Sequence, residues 1–544
     1  MNARGNTLGH AGARTGLFGR ARARVLALGA LGAFVLVGAA CGGGQAGSGE
    51  PCAPNSREPR CQGAVAAPQG AGPVADNDPL GPPPRVPPPA VYAPPVPTTF
   101  ALGNGATVWL LERHTLPIVS IAVSIPSGAA DDPPGKEGLA SITADMLDEG
   151  AGDKSALDLA RAIDMLGASI TTSAGHDTSM CVLATLKKNL EPAAGLLADI
   201  VLRPRFDAGE FRRVHDLWRN DVKMRATDPN AVAQVVSRAV VFGEGHPYSH
   251  PVDGYTSSPA RVALPDVKTH YKTFWRPERA HIVVVGDVTR AEVEPLLTRA
   301  FGAWRAAPPP PELAKVPPPA AARPRLVLVD RPDAPQAVLA LVRPGVAASA
   351  PEYAALTRAN FALGGSFTSR LNQELREKRG FTYGARSRVA AGRETGMVVA
   401  SAAVHTEVTG EAAELLLANV RDFAASGLTP EEIDKTRSQA RAELVEVFEA
   451  VTSTASRFAQ DAALLLPPNF QTELSTRRDQ ADKAALDAAV KQAYDTGAAT
   501  LVVVGPAAKV EEQLRRLNLG PAERRDAEGK KLDAPKSRCE GKRC

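Results

Sequence analysis

Net charge is what this sequence has least of. Its 63 lysines and arginines face 59 aspartates and glutamates in 544 residues. Five of the arginines fall between Met1 and Ala40, a stretch that contains no acid, so the rest of the chain carries 58 basic against 59 acidic side chains. The electrostatic footprint of a nucleic-acid-binding protein is therefore absent. The N-terminal apolar run, Val25 to Val37, is also short: its 13 residues fall below the roughly 20 needed to cross a bilayer as a helix. Cysteine is scarce, with six residues in all, and five of them (Cys41, Cys52, Cys61, Cys539 and Cys544) lie toward the chain ends. Local pairs, Cys52 with Cys61 and Cys539 with Cys544, and a cross-link between the two tails are both compatible with an oxidising compartment. Cys181 sits in the apolar run Met180-Cys181-Val182-Leu183-Ala184 and reads as a small buried hydrophobe.

Proline and glycine, by contrast, are plentiful (46 and 47 residues) and clustered. Arg14, Arg20, Arg22 and Arg24 precede the apolar run, and Gly38-Ala39-Ala40 leads directly into Cys41. That order is an export signal, and it resembles a bacterial lipoprotein signal over residues 1–40 with lipidation of Cys41. Gly38 stands where Leu, Val or Ile is usual, and the plainer reading is a cleaved secretory signal or an uncleaved anchor. In either case the body is expected to face the periplasm or exterior as a cell-envelope protein. Residues 42–97 hold 15 prolines and 9 glycines, too many for a packed core, so 41–97 is expected to be a disordered tether. A second cluster, 8 prolines in 306–324, is expected to link two domains, 98–305 and 325–520. The tail, 521–544, with eight basic and five acidic residues, is expected to be disordered.

The two long stretches repeat one another. His281-Ile282-Val283-Val284-Val285-Gly286 recurs as Thr500-Leu501-Val502-Val503-Val504-Gly505, and Leu196-Leu197-Ala198-Asp199-Ile200 recurs as Leu416-Leu417-Ala418-Asn419-Val420. Gly286 thus answers to Gly505 and Leu196 to Leu416, a nearly constant offset that marks a duplicated unit. Val119, Ile121, Val123 and Ile125 alternate with Ser120, Ala122 and Ser124, which predicts a strand with one buried face. Apolar residues at three- and four-residue spacing predict helices over 155–166, 190–201 and 411–424. Thr429 followed by Pro430 and Glu432 predicts a capped helix start. The fold class is α+β, two homologous domains each with a sheet covered on one side by helices.

Several motifs in register make the chain resemble the pitrilysin/insulinase metallopeptidases. Gly138 to Leu147 stands where that family carries the inverted zinc motif H-x-x-E-H. Leu202-Arg203-Pro204-Arg205-Phe206, Gly245-His246-Pro247-Tyr248 and Val283-Val284-Val285-Gly286-Asp287 follow in order, and so do Leu363 to Leu371 and Arg376 to Tyr383. The resemblance spans about 98–520 and implies mostly antiparallel sheets. It also implies what is lost. Ser141 replaces the first histidine, Ala144 the general-base glutamate, Asp145 the second histidine, and Asp221 the third ligand, a glutamate. Zinc hydrolysis needs two imidazoles and a carboxylate on the metal and a further carboxylate for the proton, so this chain is expected to bind no cofactor. His246 and His250 do not replace the lost site, because Pro247 and Pro251 argue against the helix that would align them. His176 is expected on a loop or strand edge.

The family's arginine and tyrosine of the second domain are kept as Arg376 and Tyr383. In active members such a pair donates hydrogen bonds to the substrate and the developing oxyanion. The resemblance therefore implies a zinc-less subunit, inactive alone, that lends Arg376 and Tyr383 to a zinc-bearing homologous peptidase partner in a heterodimer. The zinc would sit on that partner, and peptide would add as a strand to a sheet edge, with 118–125 the expected edge. The alternative is a lipid-anchored scaffold or peptide-binding protein of the envelope without catalytic role.

Overall fold

Each half of the chain builds one six-stranded sheet. The computed structural model describes residues 92–305, 312–319 and 324–533, all within one compact unit, 88–544. Cys41 and the expected export signal, most of the expected tether and Cys52, Cys61, Cys539 and Cys544 lie outside the described residues.

In the first half the strands are β1 (Thr98–Ala101), β2 (Thr107–Glu112), β3 (Ile118–Ile125), β4 (Ser169–Ala174), β5 (Ser179–Leu186) and β6 (His281–Gly286), in the spatial order β1-β2-β6-β3-β5-β4. The second half supplies β7 (Arg325–Asp330), β8 (Gln336–Gly345), β9 (Ala385–Ala391), β10 (Gly396–His405), β11 (Thr500–Gly505) and β12 (Glu523–Arg525), in the order β12-β7-β11-β8-β10-β9. Only β2/β6, β7/β11 and β7/β12 are parallel; the remaining pairs are antiparallel. The duplicated Val-Val-Val-Gly segments are thus equivalent strands, β6 and β11. The helices fall at Ala156–Met165, Leu190–Leu202 and Thr409–Ser426, close to their sequence limits. Thr429 caps Pro430–Glu449: its hydroxyl accepts from the Glu432 amide, and Glu432 accepts from the Thr429 amide at 2.9 Å.

Each sheet has one face packed on helices of its own half. The other face differs from the one-sided strand that the alternation at 119–125 predicts. Ser120, Ala122 and Ser124 are as buried as the valines and isoleucines between them. What covers them is the helix Val451–Ala463 of the second half, which lies across β3 and β6. Ser124 Oγ donates to the Ala459 carbonyl at 2.8 Å, and Phe458, Ala459 and Ala462 pack on Trp109, Ala122 and Val283. The small side chains at 120, 122 and 124 are what let a helix backbone come this close. The exchange is reciprocal: the first-half helix Pro229–Phe242 lies on β8 and β11, setting Val232, Val236 and Val240 against Val338, Ala340 and Val502.

Three further expectations change. β3 (118–125) is no edge, because β5 and β6 pair with it on either side; the free edges of its sheet are β1 and β4. The end of the tether is not loose, since Tyr92 packs 6.5 Å from Phe448 and the Pro94 carbonyl accepts from Thr472 at 2.9 Å. Residues 521–533 of the tail are ordered too. β12 pairs with β7, Ala527 packs beside the Pro229–Phe242 helix, and Arg524 pairs with Glu511 at 2.5 Å. Strand pairing and charge pairing hold a segment whose composition alone reads as solvated.

Candidate functional site

Ser141, Ala144 and Asp145 lie on the helix Leu139–Leu147. Its start is held by Asp132, whose carboxylate accepts from the Gly138 and Ala140 amides at 2.7 and 2.8 Å, satisfying donors that a helix N-terminus leaves open. Burial pushes this carboxyl well above its usual range against the pull of those two amides. Gly138 has φ +97°, and a Cβ there would lie 2.8 Å from the Asp253 carbonyl and from the Trp218 ring, so only glycine fits. Trp218 Nε1 donates to the same carbonyl at 2.8 Å and joins the helix Ala208–Arg225, which carries Asp221, to the helix of the zinc motif.

The helix pair that would hold a metal is therefore intact while its ligands are not. Ala144 is fully buried and Ser141, Asp145 and Asp221 are half-buried, and both aspartates have partners within the protein. A hydroxyl, a methyl and two carboxylates do not fit the nitrogen-rich open site that catalytic zinc takes. Among the described residues no group of three or more His, Cys, Asp or Glu side chains converges as metal ligands would.

Arg376 lies on Gln373–Lys378, a widened helical turn of π type, a distortion common near functional sites. Its guanidinium stacks 4.1 Å over the Phe367 ring, and its Nη1 forms an ion pair with Glu377 at 3.3 Å. Tyr383 is 89 % exposed, on the loop that enters β9. Phe381 closes the turn by donating its amide to the Leu375 carbonyl at 2.9 Å, so the two residues leave one short, tied segment.

The histidines form something else. His246 accepts the Tyr248 amide at Nδ1 (3.0 Å), so Nε2–H donates to the Pro317 carbonyl (2.9 Å). His176, on the turn between β4 and β5, bonds the His250 carbonyl at 2.9 Å. Burial holds all three imidazoles below their usual range. Next to them the Tyr248 hydroxyl donates to Asp177 at 2.5 Å. Arg393, from the turn between β9 and β10, donates its amide to Asp177 at 3.1 Å and its guanidinium to the Pro126 carbonyl at 3.2 Å. The Gly-His-Pro-Tyr loop is thus a buried seam between the halves. Asp177 and Arg393 carry no motif, and no sequence signal pairs two positions so far apart in the chain.

A duplicated α+β fold with no group of metal ligands among the described residues of the Leu139–Leu147 helix and its neighbour is consistent with a peptidase-like protein. Residues 107–246 match the family described as Insulinase (Peptidase family M16), and 261–440 match the Peptidase M16 inactive domain, together more than half of the chain. The zinc protease YmxG of Bacillus subtilis, itself described as uncharacterized, is 22 % identical over 67 % of this chain and 88 % of its own length. The Helicobacter pylori protein described as a non-peptidase homolog is 21 % identical over 60 % of this chain and 74 % of its own. A crystal structure of the peptidase M16 inactive domain from Pseudomonas fluorescens has the same fold, with a TM-score of 0.71, 24 % identity and coverage of 75 % of this chain and 98 % of that one. The chain belongs to the insulinase (M16) peptidase family. Its zinc motif is degenerate, and it is a peptidase-like member.

Proposed function

We propose that this chain is the non-catalytic subunit of an M16 metallopeptidase, contributing Arg376 and Tyr383 to the site of a zinc-bearing homologous partner that hydrolyses peptides. The observation that carries this reading is the asymmetry of loss. All four zinc-motif positions (141, 144, 145 and 221) have changed, while the substrate-contacting pair persists on a tied segment with Tyr383 turned to solvent. The partner's metal supplies Lewis acidity and the hydrolytic water. This chain binds and orients: the free edge of β4, beside the Leu139–Leu147 helix, offers main-chain hydrogen bonds to an extended peptide, and Arg376 and Tyr383 donate to carbonyl oxygens as they gain charge. Lipidation at Cys41 would hold this assembly at the membrane, facing the periplasm or exterior.

Peptidase assays of this chain, its zinc-bearing homologue and their mixture test the reading. Activity in the mixture should exceed that of the homologue alone and fall by about 10²–10³-fold with Arg376→Ala or Tyr383→Phe. A mixture no better than the homologue alone would leave a scaffold or peptide-binding protein of the envelope.

A further inference from the structure

Among the described residues, large aromatic side chains are nearly all buried or half-buried. Among the described residues only Phe367, at 66 %, and Tyr383, at 89 %, are exposed. Phe367 lies under the Arg376 guanidinium, and Tyr383 follows on the same tied segment. The loop bearing Phe367 and the loop bearing Tyr383 are tied together by one side chain, Asn372, which is 6 % exposed. Its amide nitrogen donates to the Ser366 carbonyl at 3.1 Å and to Ser369 Oγ at 3.3 Å, and its oxygen accepts from the Ala385 amide at 2.9 Å. Ser366 precedes Phe367, and Ala385 closely follows Tyr383. Gly364 presses the same loop onto β9, where an added Cβ would lie 2.3 Å from the Ser387 nitrogen. The spacing of the two aromatics is therefore built by packing.

We infer that Phe367 is a third peptide-contacting residue. With Arg376 it forms an aromatic–guanidinium surface, on loops tied to the one that carries Tyr383, for an unfolded chain that carries an acidic side chain beside an apolar one. Phe367 is the exposed aromatic that touches a guanidinium, so an apolar ring and a cation are offered on one surface. Arginine and aromatic residues together are the composition of binding hot spots. The ring and Glu377, which pairs with Nη1 at 3.3 Å, hold the guanidinium in one orientation, and a peptide carboxylate would compete with Glu377 for its charge. Asn372 is the positioning residue: it touches no peptide but sets both loops.

This inference rests on the reading of Arg376 and Tyr383 as substrate contacts and is independent of the zinc-bearing partner. The test is fluorescence anisotropy of the full chain alone with two fluorescein-labelled peptides, a Glu-Leu-Glu core flanked by Gly-Ser repeats and its Lys-Leu-Lys counterpart. The acidic peptide should bind about tenfold more tightly than the basic one, and Phe367→Ala should weaken it about tenfold while Phe367→Tyr retains it. Phe367 is largely exposed, so its variants keep the fold. Asn372→Ala should weaken the acidic peptide but add little when combined with Phe367→Ala, the non-additivity of residues that act through each other. Equal binding of both peptides, no binding, or an unchanged Phe367→Ala would overturn the inference. A chain that binds in this way yet fails to activate a zinc-bearing homologue would sink the heterodimer reading and leave this surface standing.

Discussion

Asp461 sits on the helix Val451–Ala463, 2 % exposed, and accepts one hydrogen bond from Gln471 Nε2 at 2.7 Å. Burial raises its pKa from 3.8 to about 6 despite the opposing pull of Arg457. With the folded pKa above the unfolded one, the native state holds the proton more tightly. The stabilisation is full below pH 3.8 and is lost as pH rises to about 6. The whole change is on the order of 3 kcal/mol. Asp461→Asn should remove this decline and be more stable than the parent at neutral pH by about 1–3 kcal/mol, as urea unfolding across pH 4–8 would show; parallel profiles would mean that ionised Asp461 is fully compensated. At this scale the sequence is uneven evidence. Ser141, Ala144, Asp145, Arg376 and Tyr383 are candidates from the sequence because each stands in a motif, and Asp221 because of its spacing from one. Asp177, Arg393 and Phe367 are not, since what gives each a role is a contact with a residue in another segment.

At the scale of elements, a strand pattern reports composition and not what lies above it. The alternation along β3 was visible, but its serine-alanine face is also buried, and the covering helix begins only at Val451, far along the second half. Phe458, fully buried on that helix, packs its ring 6.3 Å from Trp109 and 5.6 Å from Phe448. Phe458→Ala should cost about 3–5 kcal/mol. The loss should appear as faster hydrogen exchange in β3 and β6 of the first half, although the residue belongs to the second. Exchange accelerated only in the second half would refute the claim that this helix completes the first sheet.

For the whole molecule, the exchanged helices mean that neither half has both faces of its sheet covered by its own chain. Residues 92–305 alone would expose Trp109, Ala122, Val283 and their neighbours, and 324–533 alone would expose Val338, Ala340 and Val502. Expressed separately, each half should aggregate or remain partly folded. Co-expressed, the two should assemble into one particle, as size-exclusion chromatography would show. A monomeric, cooperatively melting first half would contradict this. The same interlock makes Arg393 and Asp177, at 8 % and 6 % exposure, part of one continuous interior and not a hinge between domains.

The sequence by itself determined the duplication, the strand–helix order of each half and the degeneracy of the zinc motif, and it offered Arg376 and Tyr383 as candidates. All of these are local or periodic, carried by side-chain identity and spacing. Only the tertiary structure decided that β3 is interior and β4 the edge, that each half lends a helix to the other, and that 521–533 forms a strand. It alone set Phe367 beneath Arg376. These are outcomes of long-range burial and strand pairing, in which the partner of a residue is chosen by the packing of the whole chain and leaves no mark at its own position.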